Sequence, residues 1–135
     1  MTEATASPTS LTLLIRCDNL DAAPVGFVRL YNVNFAHGFA FLETAIAARH
    51  RRRTDCDVEA RRLVSHFAVA ALRLHRLETK VCSHNLVSIN LVEHMGFTLE
   101  GRLREAYTCH GERGDMLVFG ILESEIGRAS CRERV

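Results

Sequence analysis

Residues 75–115, with the strand that follows them, constrain the fold of this chain more than any other stretch. They read strand, helix, Gly-Phe, strand, turn, strand. Residues 77–82 alternate apolar and polar side chains, as a short strand does. Asn85 is a good helix N-cap, because its side-chain oxygen can accept a first-turn N–H. Ile89, Val92 and Met95 then form one helical stripe, and Gly96 stands where a left-handed C-cap belongs. Residues 97–107 and 116–122 read as two strands around the turn Gly111 to Gly114. Upstream, residues 59–74 predict a helix. Ala60, Leu63, Val64, Phe67, Ala68, Ala71 and Leu72 fall on one stripe that should pack on a sheet, with Arg61, Arg62, Ser65, His66 and Arg73 largely off it. Residues 11–16, 25–30 and 38–47 read as three earlier strands, with Gly26 at the entry of the second. A strand, a loop, a helix and a further strand in this order make an α/β arrangement.

At 135 residues the chain is one domain that can bury a real core. With 47% hydrophobic and 24% charged residues it is composed like a soluble globular protein, not a disordered one. A net charge of +1 gives no global pull toward nucleic acid or a membrane surface. No apolar run reaches the length of a membrane span, and the N-terminus lacks a basic-then-apolar leader pattern. Lys80 is the only lysine; arginine supplies the other basic residues, as a GC-rich coding sequence would. The five cysteines (17, 56, 82, 109 and 131) are odd in number and without a C-x-x-C, so reduced thiols in a cytoplasmic protein are expected. The seven histidines show no metal-ligand spacing, and no metal site is expected.

Asn85-x-x-Ser88, Gly96-Phe97, Glu100-Gly101-x-Leu103-Arg104, Gly111 and Asp115 together resemble the GNAT superfamily of acetyl-CoA-dependent N-acetyltransferases. The closest likeness is to the branch that acetylates protein N-terminal amines and small amines. The resemblance covers roughly residues 11–122. It implies an α/β (α+β) fold, a mixed, mostly antiparallel sheet flanked by helices. Residues 11–16, 25–30 and 38–47 would be the family's second, third and fourth strands. The family's first strand and the helices that wall its acceptor pocket would then be lacking. Residues 1–10 are expected to be disordered, residues 11–124 to form a truncated domain, and residues 125–135 to be a non-native tail. That tail, EIGRASCRERV, back-translates to a sequence resembling a sequencing adapter.

In this family the loop before the helix of residues 59–74 binds the cofactor pyrophosphate through Arg/Gln-x-x-Gly-x-Gly/Ala and a following Glu-Ala. Glycines let backbone N–H groups approach the phosphate, and the helix N-terminus adds favourable partial charge. Arg52, Arg53, Thr54, Asp55, Cys56, Asp57, Val58 and Glu59 hold those places here. The Arg and the Glu-Ala pair fit, but both glycine places are aspartate, which repels phosphate. The alternative for the aspartates is structural. Thr54-x-x-Asp57 fits a capping box, and an acidic first turn is favourable by about 0.3–1 kcal/mol. The cluster Arg49, Arg51, Arg52 and Arg53 has three readings: a solvated basic loop, phosphate recognition by arginine forks, or a nucleic-acid patch, for which interleaved aromatic residues are absent.

The chemistry needs a neutral amine, a proton acceptor, N–H donors for the thioester oxygen and a donor for the departing thiolate. The resemblance puts the N–H donors in the strand of residues 38–47, in the region of Ala45, Ile46 and Ala47. Glu43 is the one carboxylate of that strand and the candidate base; its other reading is a solvated strand residue sharing a face with Phe41 and Ala45. Asn85 matches the asparagine beside the pantetheine arm as well as a helix N-cap. Ser88 matches a serine near the thiol, or satisfies local backbone. Glu100, Arg102, Arg104 and Asp115 read as cross-strand ion pairs, with a substrate-lining role as the alternative. The implied activity is acetyl transfer from acetyl-CoA to a primary amine. The rivals are a remnant of the fold that binds no cofactor, and a phosphate- or nucleic-acid-binding module built on residues 49–53.

Overall fold

The computed structural model describes residues 4–7, 9–17, 23–47 and 54–126, with the backbone alone for residues 4–7 and 54. Arg49, Arg51, Arg52, Arg53 and residues 127–135 lie outside the described residues. The chain divides into two compact units, Met1–His75 and Arg76–Val135.

The first unit is an antiparallel meander of β1 (Ala4–Ser7), β2 (Ser10–Ile15), β3 (Gly26–Asn34) and β4 (Phe39–Ile46). β1 lies within the first ten residues, where no strand was expected. The pairing of Ser7 with Ser10 turns the chain straight back on itself. Ladder bonding uses backbone groups, so this short strand needs no apolar pattern to form. Along β3 and β4 the period of two sorts the side chains onto two faces. Val28, Leu30, Ala40 and Leu42 are buried on one face, with Leu30 directly opposite Leu42. The other face carries the opposed pairs Arg29 with Glu43 and Tyr31 with Phe41, whose rings stack at 5.3 Å. Gly38 turns β3 into β4 at φ 72°, and its carbonyl accepts the His75 N–H at 2.7 Å.

Helix α1 (Thr54–Ala70) packs on β3 and β4. It starts at Thr54, ahead of the expected residue 59. Arg73, at φ 59°, makes the left-handed turn that ends it, while the Leu74 N–H closes onto the Ala68 carbonyl at 3.0 Å. The buried face keeps Val64 and Ala68 of the expected stripe but is turned from the rest of it. Arg61, Val64, Ser65 and Ala68 are buried, whereas Leu63 is 63% and Phe67 43% exposed. Both polar members of the buried face have a partner: Arg61 holds Asp57, and the Ser65 hydroxyl donates to the Arg61 carbonyl at 2.7 Å. Partnered polar groups can be buried without the full desolvation penalty. Cys17, just past β2, and Cys56, in the first turn of α1, form a disulfide across 39 residues. This corrects the expectation of reduced thiols for these two cysteines; Cys82 and Cys109 are free.

In the second unit β7 (Glu112–Leu122) lies between β5 (Arg76–Cys82) and β6 (Thr98–Cys109), antiparallel to both. Leu77 faces Ile121, Thr79 faces Phe119 and Val81 faces Leu117, and all six are buried. Helix α2 (Leu86–His94) contributes the buried Val92, and Met95 and Phe97 follow it into the core. Gly96, at φ 94°, supplies the expected left-handed turn. On the opposite face of β7 a Cβ at Gly120 would fall on the Arg76 guanidinium and the Glu100 carboxylate. Arg76 spans the sheet there, bonding Glu78 at 2.9 Å and also Glu100. The Arg76 hydrogen bond holds the Glu100 carboxyl below its usual range. Residues 123–126 form one helical turn. The Glu125 carboxylate accepts the Leu122 N–H at 2.9 Å and Ile126 is buried, so these two residues of the expected tail are packed as part of this unit. Among the described residues no helix is long and apolar enough to cross a membrane.

The disulfide makes a measurable claim. Closing a loop of 39 residues removes enough unfolded-chain entropy to stabilise by about 4 kcal/mol. The double substitution Cys17→Ser, Cys56→Ser should lower the urea-unfolding free energy by about that amount in oxidising buffer. The difference should vanish when both proteins are compared under reductant; equal stability in oxidising buffer would contradict the pairing.

Candidate functional site

The first turn of α1 is shaped by Asp57. Its Oδ1 accepts the Thr44 hydroxyl from β4 at 2.7 Å and the Arg61 Nε–H at 2.9 Å. The Arg61 side chain is only 6% exposed and that of Asp57 18%, so this is a nearly dry ion pair. Beside the expected readings of Asp57 as a cap or as an obstacle to phosphate, its charge is met by Arg61 and its carboxylate bonds Thr44 on β4. Asp55, the other glycine replacement, is exposed. Cys56 between them is tied to Cys17, which anchors the same turn to the end of β2. Val58 is half-buried and Glu59 exposed; Arg52 and Arg53 lie outside the described residues, as does the side chain of Thr54.

Glu43 stands on the face of β4 opposite Thr44, beside Phe41 as the alternation predicts. Its carboxylate is bonded by Arg29, directly across on β3, and the Arg29 guanidinium also lies 4.6 Å from the centre of the Tyr31 ring. A proton can be taken by Glu43 only at the expense of this ion pair. Among Ala45, Ile46 and Ala47, the Ala47 N–H is bonded to the Val25 carbonyl at 2.8 Å. N–H directions alternate along a strand. Ala45 therefore shares the direction of Ala47, and the Ile46 N–H is directed away from β3.

In the second unit Asn85 caps α2. Its Oδ1 accepts the Ser88 N–H at 3.2 Å, and its carbonyl accepts the Ile89 N–H at 3.0 Å. The Ser88 side chain is half-buried, and among the described residues its hydroxyl has no hydrogen-bond partner. The hairpin next to this helix is deformed by design of its sequence. Between the pairs Leu103↔Met116 and Tyr107↔Gly114, β6 carries Arg104, Glu105 and Ala106 where β7 has Asp115 alone. Glu105 is at φ 52°. Asp115 pins this bulge by accepting the Glu105 N–H at 2.9 Å and an Arg102 N–H at 2.6 Å. These two bonds, the Glu105 N–H first, hold the Asp115 carboxyl below its usual range. Glu100 and Arg102 are thus both in ion pairs, with Arg76 and Asp115.

Two partners were missed in the sequence: Arg61 for Asp57 and Arg29 for Glu43. Only the i, i+4 spacing of Asp57 and Arg61 carried a signal. The first unit offers a helix N-terminus and a strand N–H, groups that favour negative charge, and the second unit offers a hydroxyl at the start of α2.

The model of an acetyltransferase (GNAT) domain matches residues 13–118. The spermidine N(1)-acetyltransferase of Vibrio cholerae serotype O1 is 28% identical over 101 residues, which is 75% of this chain and 58% of that protein. The probable N-acetyltransferase YjcK of Bacillus subtilis is 39% identical over 67 residues, 50% of this chain and 37% of that one. The chain therefore spans about half the length of these curated relatives. Among solved structures, spermidine N-acetyltransferase from Vibrio cholerae in complex with CoA and spermine superposes with a TM-score of 0.80 at 23% identity, over 88% of this chain and 69% of that one. Mutant forms of the spermidine/spermine N-acetyltransferase SpeG from the same organism reach 0.81 over 90% and 72%. The fold class and the family resemblance read from the sequence both hold.

The Asp57 arrangement predicts a specific stability pattern. Asp57→Ala strands a buried guanidinium and should destabilise the protein by about 3–5 kcal/mol. Adding Arg61→Met removes the stranded charge and should recover most of the loss. Denaturant titration of the single and double variants checks this; a single variant as stable as wild type would contradict the pairing.

Proposed function

This chain belongs to the acetyltransferase (GNAT) domain family, and on that premise we propose that it moves an acetyl group from acetyl-CoA to a primary amine of a small polyamine. The start of α2 carries the reading. Asn85 and Ser88 are two of the residues behind the family resemblance, and the cap spends the Ser88 N–H while leaving its hydroxyl open to a sulfur. Acetyl-CoA would lie with its pantetheine arm against Asn85 and its thiol by the Ser88 hydroxyl. The first turn of α1, from Thr54 through Glu59, with Arg52 and Arg53 before it, would meet the pyrophosphate. Asp57 fits that role because Arg61 already balances its charge; Asp55 remains an exposed carboxylate that weakens the site. The Ile46 N–H is the donor to the thioester oxygen. Glu43, the candidate base, must leave Arg29 to accept a proton.

The acceptor class is supported by the relatives named for spermidine and by the complex with CoA and spermine. The test is incubation of the chain with acetyl-CoA and spermidine, with mass spectrometry of the amine. N-acetylated product is expected, and Ser88→Ala should lower kcat by about 100-fold if the hydroxyl protonates the departing sulfur. No product above the uncatalysed rate would overturn the reading in favour of a non-catalytic fold. Product with an unchanged Ser88→Ala rate would remove Ser88 from the chemistry.

A further inference from the structure

The residue before the α2 cap makes a contact that the proposed function leaves unused. The His84 Nδ1 meets the Tyr107 hydroxyl, and the two rings sit edge to face with centroids 5.8 Å apart. Tyr107 is brought there by three features. The bulge pinned by Asp115 re-aims the β6 side chains that follow it. Gly114, opposite Tyr107, has no side chain, and a Cβ there would fall inside the Tyr107 ring. The loop that carries His84 is tied to the same pivot, because the Ser83 N–H donates to the Asp115 carbonyl at 2.9 Å. One residue of β7 therefore holds both sides of the contact.

We propose that His84, oriented by Tyr107, takes the proton from the acceptor ammonium. This inference rests on the acetyl-transfer reading. With the Nδ1 proton donated to the Tyr107 oxygen, the lone pair of the neutral ring is on Nε2, which has no hydrogen-bond partner among the described residues. His84 is exposed, so an amine can reach it and solvent can carry the proton away. It immediately precedes Asn85 and stands four positions before Ser88, the residues assigned to the arm and the thiol. Glu43, by contrast, is already bound to Arg29. The balance is simple. The amine nitrogen loses one proton to Nε2 and attacks the thioester carbon, so an N–C bond forms. The C–S bond then breaks, the thiolate takes the Ser88 hydroxyl proton, the second proton of the nitrogen restores Ser88, and His84 passes its proton to solvent. One proton is released overall and nothing is oxidised or reduced.

Steady-state kinetics with acetyl-CoA and spermidine test this on three variants. His84→Gln keeps a donor toward Tyr107 but cannot act as a base, so kcat should fall about 100-fold or more with KM for acetyl-CoA and the melting temperature unchanged. His84→Gly should fall as far, and added imidazole should restore part of the rate. Tyr107→Phe keeps the ring over Gly114 and loses only the hydroxyl, so its kcat should lie between those of wild type and His84→Gln. A wild-type rate in His84→Gln, or a fully folded His84→Gly that imidazole does not rescue, overturns the assignment. If wild type itself forms no product, the acetyl-transfer reading fails and this inference falls with it.

Discussion

A single carboxylate oxygen sets the geometry of the first unit's functional end. Asp57 Oδ1 takes one hydrogen bond from β4 and one from its own helix, and in doing so it fixes where α1 begins and which face it buries. A charge-assisted bond in a poorly hydrated place is stronger than its exposed counterpart, and leaving either partner alone there is costly. The consequences spread outward. Arg61 can be buried because Asp57 receives it, Ser65 can be buried one turn later, and Leu63 and Phe67 are turned outward as a result. Asp57 stands where the family has a glycine, and its charge is balanced by Arg61.

The second unit uses the same device at Asp115. There the carboxylate accepts a backbone N–H and an arginine, and the product is a wide bulge rather than a helix start. A second register shift lies between Leu99 and Gly101, where Glu100 is the extra residue of β6. Of the charged residues on β6, Glu100 pairs with Arg76 on β5 and Arg102 with Asp115 on β7. The Asp115 pair belongs to the bulge that precedes Tyr107.

The positions of β2 to β7 and of α2 were legible in the sequence because their signals are local. Alternation marked β5, Asn85 caps α2 as its type predicts, and Gly96 takes the left-handed conformation its place requires. The buried face of α1 was not legible. Apolar periodicity pointed to Leu63 and Phe67, but which face packs was decided by a partner on β4 and by an ion pair within the helix. The Cys17–Cys56 pairing, the Arg29–Glu43 pair and the contact of His84 with Tyr107 join residues far apart in sequence, so no local pattern could reveal them. Of the candidate site, Asn85 was legible in its structural role, while the bonds of Asp57 to Thr44 and Arg61 were not foreseen.

The claim on which the account stands is that the α1 turn accepts the cofactor although aspartates replace its glycines. Thermal unfolding with and without acetyl-CoA measures it directly. A ligand that binds only the folded state at about 100 times its Kd stabilises by about 2.7 kcal/mol, so the melting temperature should rise clearly and saturably. An unchanged melting temperature at saturating acetyl-CoA would contradict the account.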